Sequence, residues 1–142
     1  MIIKQLSVFL EDKSGSLTDL TKILSENNIN LTALCVAEST DYGIVRMVVG
    51  QPERAVEVLK QNGFSVNLTN VVCIQVPNKP GGLYHVLQIL TNNHINIDYM
   101  YAFSTDDAAL TVLRSESVQE MIRVLQENKV TLYKESDIYQ LE

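Results

Sequence analysis

An internal repeat with an offset of 66 residues limits the folds that are open to this chain. Residues 13–31 align with residues 79–97, and eight of these nineteen positions are identical, against about one expected by chance at ordinary composition. At the same offset Leu59 falls on Leu125. Two copies are too few for a solenoid, which needs at least three stacked repeats. The repeat therefore predicts a duplicated domain with its join near Thr69-Asn70.

Each copy shows the hydrophobic spacing of alternating strands and helices. Leu6, Val8 and Leu10 recur at period two, which predicts a strand, while the stripe that contains Leu17 and Leu20 has helical spacing. The elements predicted for the first copy are strand 3–10, helix 16–27, strands 29–37 and 44–49, helix 52–61 and strand 64–68. This order is βαββαβ, the ferredoxin-like arrangement.

The second copy repeats that order with the same kinds of residues. Its predicted elements are strand 71–76, helix 82–92, strands 95–103 and 108–113, helix 117–127 and strand 130–133. The predicted fold class is α+β, with two ferredoxin-like domains in tandem, at 1–69 and 70–142, each an antiparallel sheet with its helices on one face. Residues 137–141 align with the start of the strand at 71, which predicts a short extra strand that closes an edge. A frayed C-terminal tail is the alternative.

The predicted strands are apolar on both faces. Val8 and Phe9 point to opposite sides of their strand, as do Met47 and Val48. Because a sheet face that meets water is normally polar, something is expected to cover the face without helices. We expect the two copies to pack against each other and the chain to form a homodimer, since units of about 70 residues are marginal alone. The alternative is one continuous eight-stranded sheet.

Composition excludes several classes of partner. The net charge of −6 argues against nucleic acid and against an anionic membrane surface, both of which need clustered Lys and Arg. The sequence has no apolar run long enough to span a membrane and no secretory signal, so a cytoplasmic protein is expected. Cys35 and Cys73 lie in apolar strands and read as buried side chains. No metal or cofactor is expected, because His85 and His94 have no neighbouring ligand residues.

The turn between the first strand and first helix of the second copy has the residues of an anion site. Its sequence, 77–83, is Pro-Asn-Lys-Pro-Gly-Gly-Leu. Pro80 stiffens the turn, and Gly81 allows the backbone to approach a ligand closely. The helix that follows presents unpaired N–H groups and a partial positive charge, which suit a carboxylate. Asn78 can add one neutral donor and acceptor, and Asn96 follows at the start of the next strand.

These residues resemble the ACT domain. The resemblance lies in an Asn or Asp, then a Gly-x-Leu turn, then about a dozen residues, then Ile-Asn-Ile or Ile-Asn-Leu, and it covers nearly the whole chain twice. It implies a non-catalytic, allosteric regulatory protein that binds an amino acid effector between paired units. It also implies a regulated metabolic enzyme as partner and, because the chain has no room for that enzyme, a free-standing tandem protein.

The resemblance implies a set of ligand-binding residues in each copy. The second copy contributes Asn78, Pro80, Gly81, Gly82, Leu83, Asn96 and Ile97, and the first contributes Asp12, Ser14, Gly15, Leu17, Asn30 and Leu31. In the first copy Ser14 stands for the proline and Asp12 for the asparagine. Since Asp12 repels a ligand carboxylate but can meet an ammonium, the second copy is the better expected site. A purely structural role for the turn glycine and the asparagine is the alternative reading.

Two other functions remain open from the residues. A small enzyme is possible on this fold, but the sequence has no nucleophile with a base, no acid–base pair and no Walker-type phosphate loop. Lys13 and Lys79 are poor substitutes for a bidentate arginine cradle. A protein–protein interaction module with vestigial ligand sites is the other alternative, and the sequence alone does not separate it from a ligand sensor.

Overall fold

The chain divides into two compact units. The structure is a computed structural model that describes residues 1–11, 15–38, 42–104 and 108–139. The first unit consists of Lys4–Thr69 together with residues 136–139, and the second consists of Met1–Ile3 and Asn70–Glu135. The division at Asn70 lies at the join indicated by the repeat, but a short segment from each end of the chain belongs to the unit formed by the other copy.

The first unit has the βαββαβ order. Its elements are β1 (Ile3–Glu11), α1 (Ser16–Glu26), β2 (Leu31–Glu38), β3 (Tyr42–Val49), α2 (Pro52–Gln61) and the first part of β4 (Ser65–Pro77). The strand order is β2-β3-β1-β4. Strand β3 pairs antiparallel with β1 in the register Val8 to Val45, and with β2 in the register Val36 to Val45. Since residues opposite each other share a face, the apolar residues of β1 at period two face the helices.

The second unit repeats this order from the last part of β4. Its further elements are α3 (Gly82–Asn92), β5 (Tyr99–Ser104), β6 (Ala108–Arg114) and α4 (Val118–Glu127). Strand β6 pairs antiparallel with both β4 and β5. The tandem βαββαβ fold predicted from the repeat is therefore confirmed, and the four predicted helices begin and end within one residue of the observed ones.

Four predicted strands differ clearly from the observed ones. The strands predicted at 64–68 and 71–76 are one uninterrupted strand, β4, because no glycine or proline breaks the chain between Ser65 and Val76. The strand predicted at 95–103 begins only at Tyr99, because Ile95 ends the preceding helix turn and fills the core. The strand predicted at 130–133 is reduced to a single bridge between Leu132 and Ile74.

The predicted extra strand at 137–141 is wrong. Residues Glu135–Tyr139 form a short helix, α5, and the rest of the predicted strand, 140–142, lies outside the described residues. Glu135, Ser136 and Asp137 are exposed, whereas Ile138 is fully buried. One apolar anchor after three polar residues does not make the alternating face that a strand needs. The part of the chain that the structure describes has six strands and not the eight of the alternative.

The two hydrophobic cores are built from corresponding positions. Each core contains twelve buried residues between the sheet and its two helices. At the 66-residue offset nine of the twelve positions coincide: Leu6/Val72, Val8/Ile74, Leu10/Val76, Leu20/Val86, Leu24/Leu90, Ile29/Ile95, Met47/Leu113, Ala55/Met121 and Leu59/Leu125. The repeat in the sequence thus corresponds to a repeat in the packing of the two cores.

All four long helices end in the same way. Each C-cap is an asparagine whose side-chain amide donates to the carbonyl four residues earlier at 2.8 Å; the four are Asn27, Asn62, Asn93 and Asn128. A residue with positive φ follows each of them, and the amide of the next, apolar residue bonds back into the helix, as Ile29 does to Leu24 at 2.9 Å. This is the Schellman arrangement with its hydrophobic contact, and it fixes the turn that leads out of every helix.

Candidate functional site

The turn from β4 into α3 is short and tightly bonded. The amide of Lys79 donates to the carbonyl oxygen of Pro77 at 2.9 Å, and the amide of Gly82 donates to the carbonyl oxygen of Lys79 at 3.0 Å. Gly81 is the N-cap residue of α3, and the amide of His85 donates to its carbonyl oxygen at 3.0 Å. The backbone of the predicted turn is therefore held in place by its own hydrogen bonds.

Gly81 and Gly15 adopt the same unusual backbone conformation. Their φ angles are 85° and 88°, in the left-handed region that favours glycine. A β-carbon added at either position would meet nothing within 4 Å. No side chain in the described part of the chain caps either helix. Both turns thus leave open space beside a helix N-terminus whose first amide groups lack helical partners.

Packing explains why a glycine stands at position 82. A β-carbon there would lie 2.2 Å from the carbonyl oxygen of Pro77, far inside van der Waals contact. The absence of a side chain lets the first turn of α3 pack directly on the end of β4. Its place in the turn is explained without a ligand.

The remaining residues of the two predicted turns are largely exposed. Asn78, Pro80 and Leu83 are exposed in the second unit, and Leu83 is 41% accessible. Leu17, the counterpart of Leu83, is 37% accessible, although it belongs to the stripe that predicts the helix. The predicted site residues Asp12 and Ser14 lie outside the described residues.

The predicted asparagines lie at the far end of each first helix. Asn30 follows α1 and Asn96 follows α3, and both residues are exposed. Each helix has eleven residues, so its two ends are about 16 Å apart. Within one unit the glycine turn and the asparagine therefore do not meet around one small ligand. Leu31 and Ile97, which follow the asparagines, are partly buried against the cores.

A cavity of about 510 Å³ lies beside the glycine turn of the first unit. We call it the first-unit cavity. The end of β1, the first turn of α1, the start of β3 and the turn from α2 into β4 line it, through residues that include Phe9, Glu11, Ser16, Asp19, Tyr42 and Asn62. The rings of Phe9 and Tyr42 pack against each other with centroids 5.6 Å apart. The cavity thus combines an aromatic wall with two carboxylates.

The second unit has a cavity of about 280 Å³ in the corresponding place. We call it the second-unit cavity. Seven of its eight lining residues correspond, at the 66-residue offset, to residues that line the first: Gln75/Phe9, Pro77/Glu11, His85/Asp19, Asn128/Asn62, Lys129/Gly63, Val130/Phe64 and Thr131/Ser65. The duplicated fold therefore forms the same cavity twice.

Asn30 lines a third cavity, of about 360 Å³, at the other end of α1. Ser25, Asn28 and Ile29 complete its lining. Among the described candidates, Gly15, Leu17 and Leu31 do not line the first-unit cavity or this third one. The predicted turn of the first unit therefore lies next to a cavity, but most of the side chains around this cavity belong to other elements.

The family of the chain follows from a comparison of the whole sequence. The sequence model of the family described as the ACT domain pair matches this chain over residues 1–142. The chain belongs to the ACT domain pair family. The two units described above are its two ACT domains.

Solved structures share this fold. A protein from Bacteroides thetaiotaomicron is 48% identical, with a TM-score of 0.96 and coverage of 99% of this chain and 98% of that chain. The regulatory subunit of aspartate kinase from Thermus thermophilus is 14% identical, with a TM-score of 0.65 and coverage of 87% and 91%. The Thermus flavus subunit is 13% identical, with a TM-score of 0.62 and coverage of 87% and 90%. At these low identities the aspartate kinase subunits share the fold alone. None of the curated proteins matches the sequence.

Several residues around the two ACT cavities were not predicted as site residues. Asp19, Tyr42 and Asn62 in the first unit, and Lys129 in the second, are not among the residues that define the ACT motif. His85 also lines the second-unit cavity and was not predicted as a site residue. The alignment of the two copies could have pointed to these residues. It pairs Asp19 with His85 and Gly63 with Lys129, so the charge differs at positions that correspond in the two copies.

The described residues offer no other obvious reactive centre. Burial raises the pKa of the Cys73 thiol to about 12, so it is no nucleophile at neutral pH. Within the described ranges, no three His, Cys, Asp or Glu residues come together as a metal site, and no described helix has the length and apolarity needed to cross a membrane. The glycine turns and their cavities are therefore the candidate ligand sites.

Proposed function

We propose that this ACT pair is a regulatory protein that binds a small amino acid effector at its strand-to-helix turns. One observation carries the proposal: both units place a left-handed glycine, Gly15 or Gly81, at a helix N-terminus that no described side chain caps, and a β-carbon there would meet no described atom within 4 Å. The left-handed backbone alone selects glycine at these positions, but it does not require that the first amide groups of both helices stay uncovered.

The turn suits the carboxylate end of an amino acid. The first amide groups of a helix point along its axis and carry a partial positive charge, and a carboxylate accepts hydrogen bonds from them. Glycine keeps this surface free of side-chain atoms. The cavity beside each turn has room for a side chain of modest size.

A second copy of the chain completes the proposed site. The exposed Asn30 and Asn96 lie about 16 Å from the glycine turns of their own helices, so the asparagine that contacts a turn-bound ligand comes from a partner chain. We therefore propose a homodimer. Exposed apolar side chains at the first helical turns, Leu17, Leu83 and Tyr84, give such an assembly apolar surface to bury.

The proposed partner is a metabolic enzyme whose activity follows effector binding. Support comes from family membership and from the fold shared with regulatory subunits of aspartate kinase. Effector binding would favour one arrangement of the regulatory protein and, through it, one state of the enzyme. No catalytic role for this chain is part of the proposal.

Thermal shift against the twenty amino acids tests the proposal, with calorimetric titration of every positive. A ligand that binds the folded state raises the melting temperature by mass action. We expect Gly15→Ala or Gly81→Ala, and Asn30→Ala or Asn96→Ala, to weaken binding. Asn92→Ala is the matched control, since Asn92 is an exposed asparagine at the end of the same helix. Flat curves for all twenty would refute the proposal and favour a protein–protein interaction module with vestigial sites.

A further inference from the structure

The two corresponding cavities have opposite charge. The first-unit cavity is lined by the carboxylates Glu11 and Asp19, whereas Pro77 and His85 occupy the equivalent positions of the second-unit cavity, and Lys129 is added there in place of Gly63. With histidine neutral, the described lining residues carry a formal charge of −2 in the first unit and +1 in the second. The other described lining residues are uncharged in both units.

We propose that the two units distinguish ligands by the presence of an amino group. The first-unit cavity takes a small carboxylate that also carries an ammonium, that is, an amino acid. The second-unit cavity takes a small carboxylate that lacks one, of the class of 2-oxo acids. This inference rests on the proposed function, because it assumes that ligands bind beside the glycine turns. It assigns the amino acid to the first unit, although the sequence alone favoured the second.

In the first-unit cavity the two ends of a zwitterion find complementary partners. The first turn of α1 offers amide groups to a carboxylate, and Asp19 lies on the same turn and lines the cavity. A carboxylate without an ammonium would face the carboxylate of Asp19, and like charges brought together oppose binding strongly. An amino acid avoids this penalty because its ammonium pairs with Asp19.

In the second-unit cavity the same reasoning selects the opposite ligand. Lys129 attracts a carboxylate and repels an ammonium, and His85 can donate a hydrogen bond in either protonation state. No carboxylate side chain lines this cavity among the described residues. An amino acid would therefore leave its ammonium without a partner beside Lys129, whereas a 2-oxo acid has a carbonyl oxygen in that place.

The charges that carry the inference are available to a ligand. Asp19, His85 and Lys129 are exposed, and their side chains form no ion pair or hydrogen bond with the described part of the chain. Glu11 does interact with another group, so the acidic character is argued from Asp19. Because these side chains have no electrostatic partner among the described residues, the contacts of the described fold do not explain why their charges differ between the units.

The experiment is calorimetric titration of the full chain with matched pairs, each an amino acid and the 2-oxo acid of the same side chain. Pairs with small, branched and aromatic side chains cover the two cavity sizes. We expect the wild type to bind one member of each class without competition between them. Asp19→His should weaken amino acid binding by about tenfold or more and leave the 2-oxo acid unaffected. His85→Asp and Lys129→Gly should do the reverse.

The outcomes separate this inference from the proposed function. Amino acid binding without any 2-oxo acid binding, or competition of the two for one site, would overturn the inference and leave the proposed function standing. Binding of both classes that none of the three variants changes would overturn the assignment of the cavities. Failure of every amino acid and every 2-oxo acid to bind would overturn both. Melting temperatures show whether each variant is folded, and circular dichroism shows whether its helices are intact.

Discussion

The residues that follow the helix caps offer a sharp test of the backbone argument. Gly63 and Lys129 occupy the same position in the two units, immediately after an asparagine C-cap, and their φ angles are 87° and 59°. A left-handed conformation costs an L-residue roughly 1–2 kcal/mol relative to glycine, and the greater freedom of glycine in the unfolded chain offsets about 0.5–1 kcal/mol of this. Lys129→Gly should therefore stabilise the folded state by about 0.5–1 kcal/mol.

Gly63→Lys is the reciprocal change and should destabilise the protein by a similar amount. A β-carbon at Gly63 meets nothing within 4 Å, so the loss comes from the backbone rather than from a clash. In a domain of this size, 0.5–1 kcal/mol corresponds to a shift in melting temperature of about 3–6 °C. The two changes lie in different units, and we expect the double variant to melt close to the wild type if the unfolding transitions overlap.

The effect of the Lys129 charge on stability has to be separated from the effect of its backbone conformation. A cation near a helix C-terminus stabilises the helix by about 0.3–1 kcal/mol at low salt, which opposes the gain from glycine. At about 1 M NaCl the screening length falls to about 3 Å and this contribution largely disappears. Differential scanning calorimetry at low and high salt should show a larger gain for Lys129→Gly at high salt. An unchanged or lower melting temperature for Lys129→Gly at high salt would refute the reasoning.

Four further substitutions test the turn, the core and the caps. Gly82→Ala should lower the free energy of unfolding by about 3 kcal/mol, because its β-carbon would collide with backbone 2.2 Å away. Gly81→Ala should lower it by only about 1 kcal/mol. Urea denaturation measures both losses, and equal losses would contradict the roles assigned to the two glycines. At neutral pH a disulfide reagent should modify Cys35 in the native protein and reach Cys73 only after unfolding, since burial raises the pKa of Cys73 from 9.0 to about 12. Because folding raises that pKa, the protonated Cys73 thiol contributes its full stabilisation below about pH 9, and this contribution is lost as the pH rises toward 12. The melting temperature of Cys73→Ala should therefore fall less steeply with alkaline pH than that of the wild type. Asn62→Ala removes a hydrogen bond of 2.8 Å to a helix carbonyl and should lower the free energy of unfolding by about 1 kcal/mol.

The helices were predictable because their signals are local. An apolar stripe at helical spacing sets the length of each helix, and the Asn-x-apolar sequence at each end supplies the side-chain cap, the left-handed residue and the hydrophobic contact together. Pro52 marks the start of α2 in the same local way. Boundaries that depend on three adjacent residues can be read from those residues.

The strands were less predictable because their limits depend on pairing. The repeat predicted a join between two strands near Thr69-Asn70, yet the chain stays extended through both residues as part of β4. Ile95 and Ile97 look like strand residues, but they pack into the core before β5 begins. An apolar residue reports burial, whereas strand assignment requires a hydrogen-bonded neighbour that the local sequence does not specify.

The candidate site was predictable in its backbone and not in its side chains. The glycine turn follows from Gly15 and Gly81 alone, because a left-handed N-cap selects glycine in any context. The cavity beside it is completed by the turn from α2 into β4, whose residues are about 45 positions later in the chain. Only the tertiary fold brings Lys129 beside His85, and the charge of the second-unit cavity could not be read from either segment alone.

Comparison of the two units within one chain separates packing from ligand selection. Both units share one fold, so a position that serves only packing experiences nearly the same demand in each, and the nine corresponding core pairs are apolar in both. The four helix caps are asparagine throughout. The lining of the cavities departs from this rule, since Asp19 becomes His85 and Gly63 becomes Lys129 although the surrounding backbone is the same. Lys129 shares its left-handed conformation with Asn28 and His94, which follow the caps of α1 and α3, so the backbone alone does not decide which residue stands there. The proposed binding of a 2-oxo acid gives a reason for a positive charge at Lys129.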